Sequence, residues 1–352
     1  MNSLLVTGGA GFIGANFVRY WRDRHPEDSI TVLDALTYAG RRENLVGITD
    51  LNFVHGNICN EVLVENIITV HSVDTIVNFA AESHVDRSIA EPDTFIETNV
   101  KGTHSLLKVA KRLWLDTGSG RPHRFHHVST DEVYGTLGPD DAAFTESTAY
   151  APNSPYAASK AASDHLVRAY WRTFGLQTTI SNCSNNFGPY QFPEKLIPLF
   201  ITNSLCGRPL PIYGDGKNVR DWLYVGDHCR AIDLILEKGQ QGEVYNVGGG
   251  HEMSNLAIVA KICAAIDLAF EQDVRMSVIY PNAPAARGIP TATLMTFVPD
   301  RLGHDRRYAI NCAKIERQLG YRASESEFAV GFPRTLAWFL ENRDWWLALR
   351  KI

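Results

Sequence analysis

A chain of 352 residues, 45% hydrophobic and 21% charged, is globular and long enough for one large or two moderate domains. Its net charge of -5, with the two signs interspersed, argues against a nucleic-acid binder or a membrane-surface protein. The six cysteines, Cys59, Cys183, Cys206, Cys229, Cys263 and Cys312, contain no C-x-x-C pair, which argues against a zinc cage or a disulfide framework and for reduced, mostly buried thiols.

The chain enters its first strand at Leu4-Leu5-Val6 with no basic leader, signal region or long apolar run, so a cytoplasmic protein with no metal is expected. Short aliphatic or β-branched runs then alternate with amphipathic stretches, the pattern of βαβ units and a parallel sheet. Predicted strands are residues 4–7, 30–34, 52–55, 75–80, 124–129 and 178–183. Between the first two, Phe12, Ile13, Phe17, Val18 and Trp21 recur at helical spacing and Pro26 ends the segment. Further helices are expected at 94–114, with Phe95, Val100, Leu106, Leu107 and Ala110, and from Tyr156 onward, with Ala161, Leu166, Val167 and Tyr170. From about residue 185 the density of Pro and Gly rises, which marks a smaller, loop-rich region. The expected division is 1–185, rejoined by a segment near 222–250, and 186–352; the loosest stretch is 280–297.

Thr7-Gly8-Gly9-Ala10-Gly11-Phe12-Ile13-Gly14 falls between the first strand and first helix, where a dinucleotide-binding turn belongs. Gly8, Gly11 and Gly14 allow a tight turn, close approach of a pyrophosphate and packing against the sheet, while the helix N-terminus faces the phosphates. Asp34 closes the second strand 20 residues after Gly14, where a carboxylate can accept ribose hydroxyls and repel a 2′-phosphate, so NAD is favoured over NADP. Arg41 and Arg42 lie near enough to oppose that preference. The fold expected is α/β: a doubly wound (Rossmann), mostly parallel sheet with a smaller, mixed α/β C-terminal region that binds substrate.

The run Ser129-Thr130-Asp131-Glu132 ends the fifth predicted strand, and Tyr156 and Lys160 follow at a spacing of four. That spacing puts tyrosine and lysine on one helical face, where an ammonium can depress the phenol's pKa and make it a base. Adjacent carboxyls in different environments can be driven apart in pKa, one an acid and the other a base. Together they suggest oxidation and elimination of water in one site. Either acid alone reads as a solvated strand-end residue; their place at the carboxyl end of a parallel strand, where ligands bind, favours the site. His84 is expected to support a loop by hydrogen bonding, and Tyr38 and Tyr134 to stack or pack.

The strings T-G-G-A-G-F-I-G, N-F-A-A-E-S-H-V-D-R-S-I, H-H-V-S-T-D-E-V-Y-G, Y-A-A-S-K, N-C-S-N-N-F-G-P-Y-Q-F-P-E-K-L, P-L-P-I-Y-G, R-D-W-L-Y-V and R-L-G-H-D-R-R-Y run nearly end to end. In them the chain resembles the extended short-chain dehydrogenases/reductases and, through T-D-E, N-C-S-N-N and G-H-D-R-R-Y, the nucleotide-sugar 4,6-dehydratases of that family. The resemblance implies NAD as cofactor, dTDP-glucose as substrate and dTDP-4-keto-6-deoxyglucose as product. It also implies homodimerisation through helices near 94–114 and 156–173, whose apolar positions equally suit an internal face. In roles carried over from the family, Tyr156 removes the C4 hydroxyl proton with Thr130 bonded to that oxygen and Lys160 assisting. Glu132 takes the C5 proton, and Asp131 protonates the departing C6 hydroxyl.

The cofactor side gains Phe12, Ile13, Thr37, Ile58, Ala80, Ala81, Ser83, Thr98 and Asn186 from the same resemblance. Where the family usually has an aspartate toward the adenine amino group this chain has Asn57, whose amide oxygen can still accept that bond. For substrate the resemblance implies Ser83, Thr130, Asn185, Lys195, Leu196, Pro211, Ile212, Tyr213, Arg220, Asn246, Arg301 and His304, with Arg220 and Arg301 suited to a diphosphate. Residues 264–297 match the family poorly, which leaves UDP-glucose open as the substrate. A nucleotide-sugar 4-epimerase, the other alternative, has no need of the acid pair.

Overall fold

The computed structural model describes residues 2–117 and 122–350. Its strands are Ser3–Thr7 (β1), Ser29–Asp34 (β2), Leu51–His55 (β3), Thr75–Asn78 (β4), Arg124–Thr130 (β5), Thr178–Cys183 (β6), Asn185–Phe187 (β7), Leu210–Tyr213 (β8), Val219–Tyr224 (β9), Val244–Val247 (β10), Glu252–Ser254 (β11) and Met295–Val298 (β12). Seven of them form one sheet in the order β10-β6-β5-β4-β1-β2-β3, every neighbouring pair parallel. Such strands are covered on both faces and so read as unbroken aliphatic runs: Leu4, Leu5 and Val6 are wholly buried.

Alternate side chains go to opposite layers. Leu4 and Val6 join Phe17 and Val18 of the helix Phe12–Arg24 and Val225, Cys229 and Ile232 of the helix Val225–Lys238. Leu5 and Leu33 meet Leu106, Leu107 and Ala110 of Thr103–Lys111 and Val167 and Tyr170 of Pro155–Phe174. These last two helices therefore turn these apolar positions onto the sheet. The order of strands reverses between β1 and β4, so a crevice opens at their carboxyl ends.

The strand predicted at 75–80 stops at Asn78. Beyond it Phe79 N–H donates to the Thr7 carbonyl and Ala80 N–H to the Thr7 hydroxyl, which pulls the backbone against Gly8. The helix predicted at 94–114 is one helical path from Pro92 to Asp116, loosened to π-type turns at Ile96–Gly102 and Arg112–Asp116.

The second region has its own core. Phe187, Phe200, Trp222, Ile262, Phe339 and Trp346 are buried together among β7, β9 and β11, which form one small sheet, and the parallel pair β8 and β12. The segment 280–297, expected to be loosest, is pinned: Tyr280 and Ala283 are buried in this core, and Thr291 bonds Asp267 through both its amide and its hydroxyl. Among the described residues no helix is long and apolar enough to cross a membrane.

Candidate active site

A cleft of ≈ 310 Å³ opens at the crevice. Its floor is the glycine turn. Gly8 has φ +68, a conformation only glycine takes without strain. A Cβ on Gly14 would lie 2.3 Å from the Gly8 carbonyl oxygen, so the backbone is bare where a pyrophosphate would approach a helix N-terminus. Asp34 is buried at the end of β2, one carboxylate oxygen accepting from Ala10 N–H at 2.9 Å and the other from Leu36 N–H at 2.8 Å. Each oxygen keeps a second lone pair, and Asp34 lines the cleft. Arg41 instead approaches Glu43 at 3.6 Å and Arg42 stacks over Phe53; neither lines the cleft. The donor set therefore fits NAD.

Phe12, Ile13, Thr37, Asn57, Ile58, Ala80, Ala81, Ser83, Thr98 and Asn186 all line the same cleft, as do Gly8, Gly11 and Gly14. Asn57 Oδ1 already accepts Cys59 N–H at 2.8 Å. At the far end stand Thr130, Glu132, Tyr156, Lys160, Asn185 and Lys195. β5 delivers Thr130, and the turn Asp131–Tyr134 follows, with Thr130 Oγ1 accepting Glu132 N–H. Ser154 caps the helix Pro155–Phe174, which presents Tyr156 and Lys160, both buried.

The two acids meet different surroundings. Asp131 is buried, its Oδ2 without a hydrogen-bond partner. Burial, then the charges of Glu132 and Asp221, push its pKa well above the carboxylate range. Burial also raises Glu132, but Arg220, Lys195 and Arg301 of the second region pull it back. Asp131 thus tends to stay protonated and Glu132 to ionise first, as an acid and a base require.

Tyr156 is raised well above its ordinary pKa, first by burial and then by Glu132, and the Thr130 hydrogen bond opposes this. Lys160 Nζ donates to the Val128 carbonyl at 2.8 Å, and the charges acting on it are those of Asp164 and Cys183.

The other residues implied for substrate are spread more widely. Arg301 Nε lies 2.6 Å from Asp86, its guanidinium 5.2 Å from the Tyr213 ring, with His304 edge-on to that ring. Arg220 donates to the Val219 and Asp305 carbonyls and stacks over Tyr308. Along β8, Ile212 turns into the core while Tyr213 is exposed and Pro211 half-buried; Leu196 packs against that core. Asn246 does not reach the cleft: wholly buried on β10, its amide accepts the Tyr134 hydroxyl and donates to the Phe144 carbonyl.

Residues the sequence did not single out also line the cleft: Glu82, Glu194, Gln191 and Phe192. Tyr38 lies edge-on to Phe192 with the Arg87 guanidinium 3.7 Å above its ring. Burial raises both Glu82 and Glu194. No spacing rule marks them, because separate loops bring them together. His84 caps its helix, accepting from Arg87 N–H, and Tyr134 is packed against Phe144.

The family model described as GDP-mannose 4,6 dehydratase matches residues 5–330. A relative in Salmonella typhimurium, dTDP-glucose 4,6-dehydratase, is 49% identical over 97% of this chain and 94% of its own. The crystal structure of the dTDP-glucose 4,6-dehydratase of Streptomyces venezuelae, with NAD bound, superposes with a TM-score of 0.86 at 48% identity and covers 99% of both chains. That of Bacillus anthracis, in complex with NAD, gives 0.85 at 43% identity, over 99% of this chain and 100% of the other.

Proposed function

The chain belongs to the GDP-mannose 4,6 dehydratase family, and on that premise we propose that it is an NAD-dependent hydro-lyase that converts dTDP-glucose to dTDP-4-keto-6-deoxyglucose. The observation that carries the reading is Glu132 lining the cleft with Thr130, Tyr156 and Lys160, with Asp131 buried next to it outside the lining and close enough for both acids to act on Tyr156. An epimerase would use the tyrosine and lysine and leave the acids idle.

NAD, when bound, would supply the hydride acceptor for C4 and the hydride donor for C6. The cleft lining from Gly8 to Asn186 holds it. Thr130 orients the C4 hydroxyl and Tyr156 takes its proton. The new C4 carbonyl acidifies the C5 proton, which Glu132 removes. Asp131 gives its proton to the C6 hydroxyl, which leaves as water, the proton on Glu132 returns to C5, and the proton taken from the C4 hydroxyl by Tyr156 replaces the one lost from Asp131. Net redox change is zero, so the cofactor has no reason to leave between turnovers. Arg220, Arg301 and Lys195 are assigned to the diphosphate, as charge-assisted donors. All six cysteines are free, which suits a reducing compartment, and we place the protein in the cytoplasm.

Purified protein given dTDP-glucose, with no added reductant, should yield a product lighter by one water and reactive to a carbonyl reagent. UDP-glucose in the same assay should turn over more slowly. Absence of product while NAD is confirmed bound would refute the reading.

A further inference from the structure

Behind Lys160, away from the cleft, lies a buried polar group that the steps above do not use. Asp164, one turn on in the helix Pro155–Phe174, is 2% exposed. Its Oδ2 accepts the hydroxyls of Ser129 at 2.8 Å and Tyr150 at 3.0 Å. Its Oδ1 has no hydrogen-bond partner and lies 3.5 Å from His127 Nε2. The same ring nitrogen is 3.4 Å from Lys160 Nζ.

Neighbours fix where the hydrogen sits on His127. Ala80 N–H donates to Thr7 Oγ1, so the Thr7 hydroxyl gives its own hydrogen to Asn78 Oδ1 at 2.6 Å. The Asn78 amide nitrogen then donates to Thr103 Oγ1 and to His127 Nδ1, the latter at 3.0 Å. Nδ1 is therefore the acceptor, and the neutral ring carries its hydrogen on Nε2. Burial keeps the ring neutral. An Nε2–H cannot accept from Lys160; it faces the bare oxygen of Asp164.

The two legs through Nε2 put the ammonium and that carboxylate oxygen no more than about 7 Å apart. Facing Lys160 are Tyr156 and Asp164 from its own helix, His127 from β5 and Cys183 from β6. The Cys183 thiol is pushed up to about 12 by burial and stays neutral. Burial raises Asp164 only to about 7, because Lys160, Ser129 and Tyr150 hold it down.

We propose that Asp164 is a positioning residue for the oxidation: its carboxylate keeps Lys160 charged in a dry site and so sets the upper end of the pH range in which Tyr156 works. The inference rests on reading Tyr156 and Lys160 as the oxidation pair. Asp164→Asn keeps an oxygen for Ser129 and Tyr150 but removes the charge. Single-turnover formation of reduced nicotinamide from dTDP-glucose would be followed across pH in wild type and variant. Well below neutral the two should match, since Asp164 is then itself protonated. Above neutral the variant should fail at a pH lower by on the order of one unit, the size of a charge interaction at this range. Tyr150→Phe, which keeps the charge and loses a hydrogen bond, should keep the wild-type alkaline limit.

A loss in Asp164→Asn that is the same at every pH, or an unchanged alkaline limit, overturns the proposal. So does an alkaline limit in Tyr150→Phe displaced as far as in Asp164→Asn. Should Asp164→Asn fail to fold, the ¹³C resonance of Lys160 in the wild-type holoenzyme decides: an inflection near pH 7 supports the coupling, and its absence overturns it. Wild-type turnover, which the proposed function requires, is read separately from these differences.

Discussion

Replacing Glu132 by glutamine keeps the shape of the side chain and removes the base. A positioned general base contributes about 10²–10⁴-fold, or about 3–5 kcal/mol of barrier, so product formation should fall by that factor. Oxidation at C4 should not fall with it. Glu132 raises the pKa of Tyr156, so its loss removes one of the charges that oppose ionisation of the phenol. The cations Arg220, Lys195 and Arg301, which act on Glu132, remain for the substrate's diphosphate. The two halves of the reaction should therefore separate, with substrate producing a rapid rise of reduced-nicotinamide absorbance that approaches one equivalent per site and then decays slowly. Stopped-flow absorbance and product analysis on the same sample check both halves. A variant that forms product at the wild-type rate would refute the role of Glu132, and one with bound NAD but no absorbance rise would refute the independence of the two halves.

Two further substitutions follow from the same geometry. Gly14→Ala places a Cβ 2.3 Å from the Gly8 carbonyl oxygen and 2.8 Å from Gly9 Cα, both backbone atoms that cannot swing away, so the variant should purify without NAD; nucleotide released on denaturation measures this, and a full complement of NAD would contradict it. Asp131→Asn should melt at or above the wild-type temperature at neutral pH although it impairs the elimination. A carboxyl whose folded pKa stands above its unfolded value makes the fold lose stability as pH rises from the unfolded pKa through the folded one, and Asp131 is such a group; the advantage of the variant should vanish below about pH 4, and thermal melts at several pH values test the sign.

Most of the first six strands were legible because parallel strands buried on both faces are locally distinctive, as in Leu4-Leu5-Val6 and residues 30–34; β3, at the sheet edge, is only half-buried. β10 joins the same sheet beside β6 but is only four residues long, and its place depends on the helix before it. The core of the second region joins Phe187, Trp222 and Trp346 across most of the chain's later half, a juxtaposition that no window of sequence contains. The glycine turn was legible for a similar local reason: its requirements are those of the backbone. Glu82, Glu194 and Tyr38 meet only because three loops converge.

The spacing of Tyr156 and Lys160 did put them on one helix face, yet the fields they feel come from elsewhere. Lys160 is answered by Val128 and Asp164, and Tyr156 by Thr130 and Glu132. The acids show the same thing more sharply. Asp131 and Glu132 are neighbours of nearly identical chemistry, and Arg220 favours the charge of both, but one step along the turn sets Asp221 on β9 against Asp131 while Lys195 and Arg301 support Glu132 against Asp305. Those partners arrive with the second region. Without those cations burial would raise Glu132 further and work against the ionised base that elimination needs.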